Sequence, residues 1–208
     1  MTHARQRLRR LADNLLALVL GLVLAAVLLE AALRFLPVNE VLGSLPVDDD
    51  NPVLRYRPDR TLTWSRDGSM DLANTVHINN YGFVNDQDYD SGADTPLVAV
   101  IGDSYVAALM VPYARTLQGR LATDLDGEAR VYSFARPGAP LSQYLAFARW
   151  ARDEFHPQRF VFIVVGNDFD ESLLRYKSAP GFHYFREDPG GLALIRQDYE
   201  PGLISRIA

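Results

Sequence analysis

Three short stretches of this chain carry residue types that together could transfer an acyl group: Gly102-Asp103-Ser104, Pro137-Gly138 and Gly166-Asn167-Asp168. The first offers a hydroxyl nucleophile, the second an unobstructed backbone N–H, the third a side-chain amide. A serine at a strand-to-helix turn presents its hydroxyl and its own N–H to one point, and glycine permits close approach to the backbone. The Ser104 N–H, the Gly138 N–H and the Asn167 amide would then form an oxyanion hole, in which one such donor is worth roughly 10²–10³ in rate. Singly, the residues have plainer readings. Gly102 and Gly138 also serve as turn glycines, Ser104 as a turn former, Asp103 as a loop-ordering residue, and Asp168 and Asp170 as solvated acids or helix-start residues.

Each stretch follows a segment of strand character. Leu97–Ile101 is an unbroken apolar run after Pro96, the pattern of a strand covered on both faces in a parallel sheet. Leu117, Leu121 and Leu125 repeat every four residues as far as Gly127 and predict a helix. Arg130–Phe134 reads as a short strand. Leu141, Tyr144, Leu145, Ala148, Ala151 and Phe155 line one stripe of an amphipathic helix, and Phe160–Val165 is a second wholly apolar strand. This alternation predicts an α/β fold with a doubly wound parallel sheet. All three stretches would fall at its carboxyl edge, where open sheets hold ligands. Phe182–Arg186 and Leu192–Arg196, around Asp188-Pro189-Gly190-Gly191, predict a β-hairpin. Upstream, partial alternation over residues 61–84, ending in Asn79-Asn80-Tyr81-Gly82-Phe83, predicts short strands and a turn. Residues 37–60, rich in Pro, Asp and Asn, read as a linker.

In these blocks the chain resembles the SGNH (GDSL-type) hydrolase superfamily: Gly102-Asp103-Ser104 in VAVIGDSYV, Gly138 in VYSFARPGAPLSQ and Asn167 in FIVVGNDFDESL. Asn79–Phe83 is similar to the Asn-x-x-Gly-Phe segment that precedes the first strand in membrane-anchored bacterial members. The resemblance covers about residues 79–200. It implies a flavodoxin-like sheet of five strands ordered 2-1-3-4-5 and Ser104 as nucleophile. It implies Ser104, Gly138 and Asn167 as oxyanion donors, supported by Gly102, Asp103, Gly166 and Asp168, with no metal and no cofactor.

The resemblance also implies a base, the histidine of a late Asp-x-x-His block, and no such block stands downstream. Asp153-Glu154-Phe155-His156 has the spacing. A helix of about 14 residues, however, carries the chain about 21 Å to the opposite edge, whereas a base must come within about 3 Å. His156 is therefore expected as a loop residue at a helix C-terminus. His183 alternates with Phe182 and Tyr184 and is expected as a solvated strand residue; His77 and His3 precede the nucleophile. With three strands in place of five, Phe160–Val165 would be a bare apolar edge. The domain is accordingly expected to be incomplete at its C-terminus, as the N-terminal part of a longer protein.

Composition narrows the remaining classes. The chain has 208 residues, a formal charge of −5 and no cysteine, which excludes thiolate catalysis, thiolate-held zinc and disulfides. Asp48–Asp50 and Asp86–Asp90 lack the spacing and terminal Glu of a calcium loop, and Gly102-Asp103-Ser104 has no Lys to meet a phosphate. Residues 1–36 hold five arginines against Asp13 and Glu30, leaving 16 basic and 24 acidic groups in the body, a net of −8. Such a body is a poor match for nucleic acid.

Arg5, Arg7, Arg9 and Arg10 precede an apolar run from Leu15 to Leu29. Counted through Leu36 the segment rises about 33 Å as helix, against a bilayer core of about 30 Å. Glu30 and Arg34, spaced i,i+4, would pair near the far interface. The positive flank argues for a cytoplasmic N-terminus. A cleaved signal peptide is the other reading, and both export the body.

The expected organisation is a cytoplasmic basic segment (1–10), a transmembrane signal anchor (11–36), a linker with short strands (37–75) and a partial SGNH-like domain (76–208). The expected function is an extracytoplasmic serine esterase or O-acyltransferase at the inner membrane. It would act through acyl-Ser104 on a small ester or an acylated glycan or lipid of the envelope. The alternative is a membrane-anchored, non-catalytic binding module that lacks the base.

Overall fold

The computed structural model describes residues 2–36, 40, 42–66 and 72–202. The parts of the linker reading at 37–39 and 41, the strand connection at 67–71 and the domain's last residues, 203–208, lie outside the described residues. Helix α1 (Thr2–Leu33) takes in the basic segment as well as the apolar run. Its stretch Arg9–Leu33 contains an 18-residue window of mean hydropathy 2.7, none of it buried. That stretch is long and apolar enough to cross a membrane. Glu30 and Arg34 pair as their spacing requires, with Arg34 Nη2 2.9 Å from Glu30 Oε1.

The body is built on three parallel strands ordered β4-β3-β5: β3 (Leu97–Gly102) in the centre, β4 (Arg130–Ala135) and β5 (Arg159–Phe162) beside it. Leu97, Ala99, Val100 and Ile101 are fully buried, as a strand covered on both faces must be. Alternation sorts the side chains into two layers. Ala99, Ile101, Tyr132 and Phe134 pack under α4 (Leu141–Phe155). Val100, Val131 and Ala135 pack with Val106 and Ala107 of α2 (Ser104–Ala107) and with Leu121, Ala122 and Leu125 of α3 (Leu117–Leu125). The two crossover helices thus lie on opposite faces of the sheet. The mixed α/β architecture with a parallel sheet is as the alternation predicts.

Three elements depart from the pattern read in the sequence. In α3, Leu117 points to solvent, and the buried first-turn residues are Gln118 and Gly119. Gln118 Nε2 donates to the Val106 carbonyl at 2.8 Å, and a Cβ at Gly119 would lie 2.0 Å from the Tyr113 carbonyl oxygen. Close packing therefore outranks the leucine period. The third strand is shorter than Phe160–Val165: beyond Phe162 the ladder continues only through Ile163 N–H to Ile101 O, 2.9 Å. Phe162 and Val164 remain 46% and 41% exposed.

The segment read as a linker is the largest correction. Val47, Val53, Leu54 and Tyr56 are buried in the body, Val47 exchanges backbone hydrogen bonds with Tyr199, and the Arg136 guanidinium stacks 3.4 Å over the Tyr56 ring. The pairing of β1 (Arg60–Ser65) with β2 (Ala73–Ile78) also runs across the boundary drawn at 75/76. The apolar residues here fill gaps at irregular spacing, so no period announces them.

Downstream, Asn79-Asn80-Tyr81-Gly82-Phe83 is a turn that delivers Phe83 to the core. The buried Asn79 side chain accepts from Tyr81 and Phe83 N–H at 3.1 and 3.0 Å. Gly82 has φ +81°, and a Cβ there would meet the Tyr56 carbonyl at 2.2 Å. Phe83 then sits edge-on to Phe134 and Phe147. At the other end, β6 (His183–Asp188) and β7 (Gly191–Arg196) form the expected hairpin over a Pro189-Gly190 turn.

Candidate active site

Ser104 is the first residue of α2, directly after the central strand. Gly102 makes this turn possible, because a Cβ there would stand 2.4 Å from Val106 Cγ2. Asp103 caps the helix: its Oδ1 accepts from Tyr105 N–H at 2.9 Å. The half-buried Ser104 hydroxyl donates to Asp103 Oδ2 over a long 3.4 Å. The Ser104 N–H, at a helix start where no helix carbonyl is in reach, donates to no protein acceptor among the described residues.

Gly138 follows β4 on the same edge with φ +78°, a conformation that glycine adopts without steric cost. Its N–H also has no protein acceptor among the described residues. Asn167 opens α5 (Asn167–Asp170) after β5, and it is exposed. Gly166 is an ordinary right-handed helical residue, and nothing lies within 4 Å of where its Cβ would be. The close approach expected of a site glycine holds for Gly102 and not for Gly166.

Two sets of side-chain contacts tie the Asn167 turn to α4 and to the Gly138 loop. The buried Asp168 Oδ2 accepts from the Tyr144 hydroxyl and from Val165 N–H, both at 2.8 Å, while its Oδ1 has no partner among the described residues. Burial raises the Tyr144 pKa, and the Asp168 hydrogen bond and the charges of Asp103 and Asp168 raise it further. The phenol therefore stays a donor to the Asp168 carboxylate. The second set is ionic. Lys177 Nζ donates to Gly138 O at 2.9 Å and pairs with the Glu171 carboxylate. Glu171 is held below the usual carboxylate range first by Lys177 and also by the Asn167 amide. The structure thus brings the serine, glycine and asparagine loops to one edge. Ser142 N–H on Ser172 Oγ (2.9 Å) and Ser172 Oγ on Asp168 O (2.6 Å) lock α4 to α5 behind them.

No histidine joins this group. His156 ends α4 in the left-handed conformation, φ 51°, and its carbonyl accepts from Gln158, which pairs with Leu97 at the amino end of β3. That is the edge away from Ser104, as its helix length requires. His77 lies in β2 and bonds Thr61 Oγ1 at 3.2 Å, and His3 lies in α1. His183 is not the solvated residue expected. It is half-buried against α4, with its N–H and Nδ1 on Gln143 Oε1 at 2.8 and 2.9 Å. Burial, then the Arg196 and Arg149 charges, lower its pKa to about 4, so the ring is neutral at pH 7.

The candidate site is an open shelf, with Gly138, Gly166 and Asn167 exposed. A cavity of about 250 Å³ lies instead outside α4, among Val53, Arg149, Trp150 and His183. Sequence reasoning missed Tyr144 as a polar member of the site, placing it only on the apolar stripe. It also missed Lys177, although a signal was present: this is the single lysine among 21 cationic side chains. Comparison of the chain with protein-family models, curated proteins and solved structures finds no match.

Proposed function

We propose that this chain is an extracytoplasmic serine esterase or O-acyltransferase of the SGNH type, anchored by α1 with its N-terminus in the cytoplasm. Ser104 Oγ attacks an ester carbonyl and the carbonyl oxygen becomes an oxyanion. The Ser104 and Gly138 N–H groups and the Asn167 amide stabilise it, and the alcohol departs with a proton. Water or a sugar hydroxyl then takes the acyl group from Ser104. The shelf is open enough for a bulky glycan or lipid ester of the envelope, and the four arginines ahead of the apolar run favour the cytoplasmic N-terminus and an inner-membrane location. The observation that carries the reading is the presence, at one sheet edge, of a serine hydroxyl with two backbone N–H groups that no protein acceptor among the described residues uses.

One observation favours a second reading. Among the described residues the Ser104 hydroxyl has a single side-chain acceptor, the Asp103 carboxylate at 3.4 Å, and no imidazole. A non-catalytic module that binds acylated glycan would need no base. A fluorescent alkyl phosphonate added to the full chain in detergent micelles separates the readings. The enzyme reading expects one label, lost in Ser104→Ala. Labelling unchanged in Ser104→Ala would remove it, and an unlabelled chain that still binds acetylated oligosaccharide would establish the second.

A further inference from the structure

We infer that Lys177 and Glu171 are positioning residues, a polar clamp that sets the separation between the Gly138 loop and the Asn167 turn. The acyl-transfer reading supplies only the reason why that separation matters. The two loops leave different strands, and β5 is paired over four residues only, so strand pairing leaves the Asn167 turn less constrained than the Gly138 loop. One ammonium reaches both: Lys177 Nζ donates to Gly138 O at 2.9 Å and to Glu171 Oε2. Glu171 lies one helical turn beyond Asn167, with its N–H on Asn167 O at 3.1 Å.

The chemistry of the amide makes this contact more than a fastening. Asn167 Nδ2 carries two hydrogens. Only a turn held at the right distance aims one of them at an oxyanion on the shelf of Ser104 and Gly138. Lys177 in turn neutralises Glu171, which would otherwise set a negative charge beside a developing negative charge.

Residue type supports the same role. Every other cation in the chain is an arginine, twenty of them, yet this corner holds lysine. A compact ammonium donates to a carboxylate and a carbonyl at once, where a planar guanidinium needs more room. A Cβ at Gly138 would already stand 3.8 Å from Lys177 Nζ. The pair is partly exposed, 26% and 33% by side chain, and contributes little to global stability. Its loss is therefore separable from unfolding.

The test uses the full chain in micelles with glycine and asparagine labelled by ¹⁵N, together with saturation kinetics of the phosphonate. Lys177→Met is expected to move both the Gly138 amide and the Asn167 side-chain resonances. It should also lower the limiting labelling rate about tenfold at unchanged half-saturation, the scale of a small misplacement. Glu171→Gln should move the Asn167 resonance, and the double variant should be no slower than Lys177→Met, because the two act as one unit. Lys177→Arg, which keeps the charge, should recover part of the rate. Gly138 and Asn167 resonances that stay in place in both single variants would overturn the clamp, as would effects that simply add in the double variant. A wild-type chain that never labels at Ser104 sinks the acyl-transfer reading instead, and the resonances still decide the clamp.

Discussion

The two flanks of the central strand are built differently. On the β4 side the register runs unbroken from Leu97↔Arg130 to Gly102↔Ala135, and Val131 through Ala135 are all buried. On the β5 side pairing stops at Ile101↔Phe162, and Phe162 and Val164 face solvent. The loop that carries Gly138 therefore hangs from a packed strand, and dispersion and burial hold it. The turn that carries Asn167 hangs from a thin one and is held by polar contacts: Asp168 with Tyr144, Ser172 with Ser142, Glu171 with Lys177. Apolar packing does not titrate, whereas ionic contacts respond to pH and are screened by salt. One site thus has a stiff half and a tunable half.

The sharpest way to break this contrast is to cut into both flanks. Phe134 is fully buried and touches Phe83, Tyr89, Trp150 and Phe155. Phe134→Ala should cost about 3–5 kcal/mol, the range for a buried aromatic. Phe162→Thr puts a β-branched residue of good strand propensity at this half-exposed position and should change stability by less than about 1 kcal/mol, while it reduces self-association through the open edge. Chemical denaturation of the two variants in the same detergent measures both. Equal losses would mean that β5 is as well packed as β4, and the contrast would fall.

Acid is the next lever, because it acts on the β5 side through His183. β6 braces the β5-side turn: Phe185 N–H donates to Ser172 O at 2.7 Å, and Leu174 N–H to Phe185 O at 2.9 Å. Its His183 is kept neutral by burial and then by the charges of Arg196 and Arg149, with Asp198 opposing them, at a pKa of about 4 against 6.5 for the free ring. The folded chain refuses a proton that the unfolded chain accepts, so this contribution is complete above pH 6.5 and is lost as the pH falls from 6.5 to about 4. The loss is about 2–3 kcal/mol after allowance for solvent screening of a half-buried group. His183→Gln should remove that slope. Amide exchange at pH 5 should open residues 165–185 before β3 and β4, and uniform opening would contradict the division.

The packed flank was also the legible one. Leu97–Ile101 announced itself as a strand buried on both faces, and the α4 stripe announced a helix, because burial by a regular element leaves a period in the sequence. Their order then brought Ser104, Gly138 and Asn167 to one edge. Residues 42–56 hid their burial for the opposite reason: Val47, Val53 and Tyr56 fill gaps in an irregular segment, and Pro, Asp and Asn between them serve turns. His183 misled through its alternation with Phe182 and Tyr184, which places a residue on the outer face of a hairpin but does not reveal that α4 lies against that face. The clamp was illegible as geometry, since Gly138, Glu171 and Lys177 are joined only by the fold.

The smallest predicted effect separates two glycines that stand alike in their motifs. Gly102 and Gly166 each precede a site residue at the end of a strand. Gly102 is pressed by Val106, so Gly102→Ala should cost about 1–2 kcal/mol through overpacking and push Ser104 away from the edge. Gly166 has φ −60° and ψ −35° with nothing within 4 Å of a Cβ. Alanine fits there without strain and restricts the unfolded chain, so Gly166→Ala should stabilise by about 0.4–1 kcal/mol, read as a rise in denaturation midpoint at constant slope. The opposite signs follow from the flanks: helix α2 is driven hard against β3, while the Gly166 position in the turn after β5 faces open space. A loss at Gly166 would mean that the β5-side turn is as crowded as the other, and that packing rather than the polar contacts holds Asn167 in place.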